Sequence, residues 1–192
     1  MNWFNFLLYM ITMAFTPGPN NLASMANMAK VGFKKGIIFN IGIFASQVIL
    51  MTLCMVLCTT ISNILPAIKL PLQILGSIYI LYLAYKTYRS PGPGDEKAAE
   101  GTFASGFVLN TLNVKYILFC IVTLQTYIIP GNDGSWTGIL IMGYTAVLVA
   151  LTAHVSWGLF GVAIRNFYKS HVKAVNIVLS LLLLYCAVIV FF

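Results

Sequence analysis

Charge is what this chain has least of. Asp, Glu, Lys and Arg make up 8% of its 192 residues, against roughly a quarter in soluble domains. Acids are scarcer still: Asp95, Glu96, Glu100 and Asp133 are the only four, and none falls inside an apolar run. There is no paired carboxylate, no cluster of His and Cys at metal-ligand spacing, and no phosphate-binding glycine loop. Soluble-type catalysis, a metal site and a bound cofactor are therefore not expected. The four cysteines, Cys54, Cys58, Cys120 and Cys186, sit within apolar runs as small hydrophobes, which excludes a secreted disulfide framework. A cleavable leader is also missing from "MNWFNFLLYM", which has neither a basic start nor a small-residue cleavage site. The first apolar run is expected to stay as a span.

What remains is hydrophobic. Apolar residues reach 60% and aromatics 14%, more than so short a chain can hide in a core. Lipid must solvate much of the surface, so the expected class is all-α and polytopic. A span needs about 20 apolar residues, and six runs qualify: 3–28, 37–64, 70–88, 103–129, 136–164 and 172–192. "NILPAIKLP" is the expected break between the second and third, and the polar linker "RSPGPGDEKAAEG" follows the third.

Positive charge is distributed unevenly between these runs. Lys30, Lys34 and Lys35, then Lys86, Arg89 and Lys97, then Arg165, Lys169 and Lys173 fall on one side, and Lys69 alone on the other. Loops this short obey the positive-inside rule, so both termini are expected on the non-cytoplasmic side. The net charge of +7 is thus spent on orientation and implies no nucleic-acid partner. Six spans around one linker predict a single membrane domain of two three-helix halves, 1–92 and 103–192, joined by a cytoplasmic linker at 93–102. An odd number of spans per half inverts the second half relative to the first, the architecture of many secondary transporters.

Two polar interruptions stand out. In "FTPGPNN", Pro17 and Pro19 lack N–H groups and Gly18 frees the backbone, inside an apolar run. Irregular backbone at membrane depth is tolerated only where it is buried in protein or lines a cavity. Such a break presents carbonyls on one side and N–H groups on the other, ends that attract cations and anions. Asn20 and Asn21 follow, placed for capping or ligand contact. In "NTLNVKYILF", Lys115 lies deep in its run with no acid in any run to pair with it. Its partners are then carbonyls, Asn110, Asn113, water or a bound anion such as a substrate carboxylate. Asn40, Gln47, Gln125 and His154 add a polar path through the spans, and His154 titrates near neutrality when unperturbed. Asn176 reads as interhelical glue.

"FTPGPNNLASMANMAKVGFKKG" resembles the first-helix signature of the LysE/RhtB family of amino-acid exporters. "LNVKYILF" is similar to that family's Asn-Pro-Lys segment, and the six runs with a charged central linker match its length. The ending "VNIVLSLLLLYCAVIVFF" and the Asn-Val-Lys variant resemble its cysteine and O-acetylserine exporting branch. The resemblance implies an inner-membrane exporter of a small amino acid, driven by the proton gradient. It carries the family's motifs onto Thr16, Pro17, Gly18, Pro19 and Asn20, and onto Asn113 and Lys115. Val114 stands where many relatives have proline, which implies a milder second break. The substrate expected is a small zwitterion of cysteine/O-acetylserine or homoserine/threonine type, with monomer and homodimer both open. The rival reading is a thiol-redox protein relaying electrons across the bilayer, which needs cysteines from two spans meeting beside the breaks.

Overall fold

A computed structural model describes residues 3–93, 101–132, 135–189 and 191, with residues 3, 58–65 and 68 as backbone alone. Asp95, Glu96, Glu100, Asp133, Lys97 and most of the expected 93–102 linker lie outside the described residues. Every regular element among the described residues is helical. In order they are α1 (Trp3–Phe15), α2 (Pro19–Val31), α3 (Phe33–Tyr88), α4 (Phe103–Thr111), α5 (Val114–Val122), α6 (Trp136–Ala163), α7 (Arg165–Ser170) and α8 (Val172–Ile189). A π-helical turn, Thr123–Ile128, continues α5.

Six separate long helices were expected, and by length and apolarity the count is lower. Phe33–Leu57, Trp136–Ala163 and Val172–Ile189 each suffice to cross a bilayer, and the bent pair Phe103–Thr111 with Val114–Ile128 makes a fourth if taken as one span. The first run is divided, because α1 stops after 13 residues. The expected break at "NILPAIKLP" is absent: α3 runs through Pro66 and Pro71, and its irregular residue is Leu57, with φ −116° and ψ 24°. Each proline removes one rung of the hydrogen-bond ladder, which here does not end the helix.

The arms of α3 nevertheless double back. Ser46 Oγ lies 2.9 Å from Thr111 Oγ1, while a Cβ on Gly76 would lie 2.6 Å from the carbonyl oxygen of Leu112. On a straight helix, positions 46 and 76 would be ~45 Å apart. Both cannot touch adjacent residues unless the arms run side by side in opposite directions. The same pairing recurs at the next level, where Tyr79 Oη donates to Ser105 O at 3.0 Å and Gly42 packs on Phe103.

Burial follows two apolar clusters separated by a polar belt. One gathers Met10, Met51, Cys54, Tyr116, Cys120 and Ala146, the other Leu22, Phe39, Ile43, Ile80, Leu109 and Leu183. Between them along each chain segment fall Asn20 and Asn21, Ser46 and Gln47, and Asn110, all buried. His154 joins this layer from α6. Helices approach closely on the side of the second cluster: Cβ atoms on Gly106 and Gly161 would lie 2.1 and 2.2 Å from the Phe39 and Met25 carbonyl oxygens. Small residues at such crossings let backbones meet, the usual packing device between membrane helices.

The basic loops collect at one end. Arg165 Nη2 donates to Lys30 O at 3.3 Å, Gly101 N to Asn27 Oδ1 at 2.8 Å, and Asn176 Nδ2 to Ser90 O at 2.6 Å. Asn176 is thereby the interhelical tie that was expected of it.

Candidate functional site

The first break occupies Thr16 to Gly18. The chain leaves α1 through Thr16, whose N–H still reaches Thr12 O at 3.0 Å, and enters α2 at Pro19. Proline suits this first helical position, since its missing N–H would have no helical partner there. Gly18 is the N-cap in an extended conformation, and no side chain caps the α2 N-terminus. The carbonyls that the break frees from α1 are taken by three side chains. Asn21 Nδ2 donates to Ala14 O at 2.8 Å and Thr16 O at 3.0 Å, Trp157 Nε1 to Phe15 O at 3.2 Å, and Lys115 Nζ to Thr16 O at 3.0 Å. A cation at a helix C-terminus is where the dipole favours it.

The second break lies at Leu112–Asn113, with α4 and the α5 helix inclined by 59°. Valine at 114 did not preserve a continuous helix: Asn113 takes ψ 95° and α5 starts anew after it. The two breaks exchange partners. Lys115, just after the second, holds Thr16 in the first, and Asn20, just after the first, donates from Nδ2 to Asn110 Oδ1 at 2.7 Å, just before the second. Asn110 Nδ2 passes the chain to Ser46 Oγ at 2.9 Å, and Ser46 meets Thr111.

His154 is the hub of the remaining belt. Asn21 uses its Nδ2 on α1, so its Oδ1 faces His154 Nδ1 at 2.7 Å as acceptor. Nδ1 therefore carries the proton, and Nε2 accepts from Gln47 Nε2 at 2.6 Å. Ser24 Oγ donates to the His154 carbonyl at 2.9 Å, and Tyr116 Oη to the Gln47 carbonyl at 3.2 Å. Two buried acceptors in this layer, Asn20 Oδ1 and Gln47 Oε1, have no hydrogen-bond partner among the described residues.

Two cavities flank the breaks. The smaller, about 30 Å³, is lined by Gly18, Asn20, Asn21, Asn113, Lys115 and His154 among others. That is room for about two water molecules, so the belt is closed in this conformation. The larger, about 230 Å³, lies on the other face, against Pro17, Pro19, Gln73, Asn113, Lys115 and Cys186. Gly18, Asn113 and Lys115 border both.

A family model described as LysE type translocator matches residues 11–192. The chain belongs to the LysE family. Its curated relatives include cysteine/O-acetylserine efflux proteins of Escherichia coli (strain K12) and Shigella sonnei, each 32% identical over 97% of this chain and 96% of the relative. The one from Salmonella paratyphi A is 34% identical over the same shares. No solved structure matches.

In this LysE-family chain most of the residues singled out from sequence converge: Thr16 to Asn21, Gln47, Asn110, Asn113, Lys115 and His154 form one layer. Two do not join it. Asn40 is buried on α3 with both amide atoms unpartnered among the described residues, and borders neither break cavity. Gln125 is exposed on the π-helical turn. Among the described residues the cysteines do not assemble a relay at the breaks. Cys54 and Cys120 contact each other through their thiols, sealed at 3% and 0% exposure in the apolar cluster. Cys186 edges the larger cavity without another cysteine, and the Cys58 side chain lies outside the described residues. Sequence reasoning missed Ser24, Ser46, Tyr116 and Trp157. Ser46 adjoins Gln47 and Trp157 lies one turn from His154, so polar neighbours within an apolar run were the available signal.

Proposed function

We propose that the chain exports a small, neutral, zwitterionic amino acid or derivative from the bacterial cytoplasm, as an inner-membrane secondary transporter. Six spans in two inverted three-helix halves build it: α1 with α2, the two arms of α3, α4 with α5, α6, and α8. The observation that carries this reading is the exchange between the breaks, Lys115 to Thr16 and Asn20 to Asn110. A pseudo-twofold axis in the membrane plane would produce that crossing, and inverted repeats place their substrate where broken helices meet.

The chemistry suits a molecule charged at both ends. Lys115 and the N–H groups of the uncapped α2 N-terminus face the carboxylate, while the unpartnered Asn20 Oδ1 and the Asn113 amide face the ammonium. The carbonyls freed from α1 are already bonded to Lys115, Asn21 and Trp157, so the ammonium is directed to the amides. A substrate carboxylate reaching Lys115 competes with Thr16 O and loosens one of the two cross-links. Rocking of the halves alternates access, driven by the proton gradient. The basic end faces the cytoplasm and both termini lie outside. The efflux activity of the relatives supports cysteine or O-acetylserine as substrate, with homoserine or threonine next.

The test is export of labelled cysteine, O-acetylserine, homoserine and threonine from loaded vesicles, with and without a proton gradient, for the native chain and Lys115→Ala. Gradient-dependent export that collapses in the folded variant is the expected result. Full export by Lys115→Ala would refute the assignment.

A further inference from the structure

A third cavity lies at the basic end, away from the breaks. Its volume is about 290 Å³, nearly ten times that of the small cavity beside Lys115, and its polar wall is made by Asn27, Lys30, Lys86, Thr102 and Ser105. Two features of this wall concentrate positive potential. Lys30 and Lys86 are half-buried and face the same space. The second is the N-terminus of α4, where Thr102 caps the N–H of Ser105 at 3.1 Å, adding the positive end of that helix. Burial and the neighbouring Lys86 ammonium lower the Lys30 pKa to about 8, the response of a desolvated cation beside a like charge.

The cavity also has a direction. α2 runs from the first break to Lys30, and α4 runs from Thr102 back to the second break. Asn20, Ala23, Asn27 and Lys30 recur at helical spacing along α2, about 15 Å from end to end, and the last three border the cavity. At the deep end of the same two helices the Asn20–Asn110 bond closes the way to Lys115. Asn27 Oδ1, which also accepts from Gly101 N, and the Ser105 hydroxyl border the same cavity and offer acceptors to a cationic group.

We infer that this cavity is a second, cytoplasm-facing binding site, which takes the carboxylate of the exported amino acid between Lys30, Lys86 and the α4 N-terminus before the Asn20–Asn110 bond parts. The inference rests on the proposed export function, and assigns its loading step to residues remote from Lys115. Anionic lipid headgroups share the chemistry of a carboxylate, so the test separates them.

Everted vesicles, with the basic end outward, would be supplied with labelled O-acetylserine or cysteine, and uptake followed for native, Lys30→Gln/Lys86→Gln, Lys30→Arg/Lys86→Arg and Lys115→Ala chains. The glutamine pair is expected to raise KM about tenfold with kcat within about twofold of native, the signature of lost initial binding. The arginine pair should stay near native KM, and Lys115→Ala should lose kcat. Each is run in vesicles of phosphatidylcholine alone and with phosphatidylglycerol. A KM rise in both lipids supports the loading site. A rise confined to phosphatidylglycerol overturns it in favour of a headgroup, and an unchanged KM in a glutamine pair that melts no lower than native overturns it outright. Absence of uptake by the native chain would instead defeat the export reading itself.

Discussion

Lys115 and Thr16 are 99 residues apart in sequence, yet the ammonium of one lies 3.0 Å from the carbonyl oxygen of the other. The contact joins the two helix breaks and sets the lysine at the C-terminal end of α1. Gly18 makes room for it: a Cβ there would lie 3.2 Å from Lys115 Nζ and 3.3 Å from its Cδ.

Gly18→Ala is therefore expected to act through Lys115. The extended conformation at position 18, φ −166°, is open to any residue, so backbone strain contributes little. Transport should fall about tenfold, as it does when a reacting or binding group is displaced by a fraction of an ångström. In a Lys115→Ala background the same alanine should cost almost nothing more. A double-mutant cycle on export rate checks this, and additive losses would contradict it.

Asn110 holds a buried chain of amides together. Asn110→Ala leaves Asn20 Nδ2 without its partner, while Ser46 Oγ keeps Thr111 Oγ1, at about 1–3 kcal/mol for the orphaned amide. Asn20→Leu with Asn110→Leu removes donor and acceptor together and is expected to melt higher than Asn110→Ala while losing transport. Thermal melts in detergent micelles beside vesicle export measure both.

His154→Phe keeps the volume of the ring and removes its two nitrogens. Asn21 Oδ1 and Gln47 Nε2 then lose their partners, with a destabilisation of about 2–6 kcal/mol from two buried groups. Because Asn21 also caps α1, accelerated hydrogen exchange should extend to the amides around the first break. Exchange mass spectrometry reads that spread; protection unchanged at residues 14–21 would show that the histidine does not brace the break.

Lys30 carries a pH signature. Burial and the repulsion of Lys86 lower its pKa from 10.5 to about 8, so the folded chain holds this proton less tightly than the unfolded one. Below pH 8 both states are protonated and the charge costs the fold stability. Between pH 8 and 10.5 the folded state releases the proton and that cost is relieved. Lys30→Gln should thus melt above native at pH 7, with the gap closing as pH climbs toward 10.5. Melting curves across that range decide it; a gap that does not change with pH would be the contrary result.

Much of this site was legible before any coordinates. Two prolines, a glycine and two amides in an apolar run admit no continuous helix, and the break falls where they do. A lysine deep in its run with no acid to meet left carbonyls, Asn110, Asn113, water or a bound anion as partners, and the one seen is the carbonyl of Thr16. Other features were not legible. Pro66 and Pro71 read as a helix end, but a missing rung is a local cost that the following turns absorb, and the irregularity moved to Leu57. The size of the second bend, 59°, was likewise not readable from Val114. Asn40 and Gln125 look like Gln47 and Asn110 in sequence, but Asn40 lies two turns from Gln47 on the same face of α3, at another depth, and Gln125 is exposed on the π-helical turn.

Composition and order alone determined that the chain is a helical membrane protein with two polar interruptions, because lipid punishes exposed backbone and charge wherever they fall. Which interruption meets which was decided by tertiary structure. Hydrogen bonds between residues some 90 to 130 positions apart, such as Asn20 with Asn110 and Asn21 with His154, depend on helix rotation and depth. Those are set by close crossings at positions such as Gly106 and Gly161, and a one-dimensional pattern of apolar residues does not encode them.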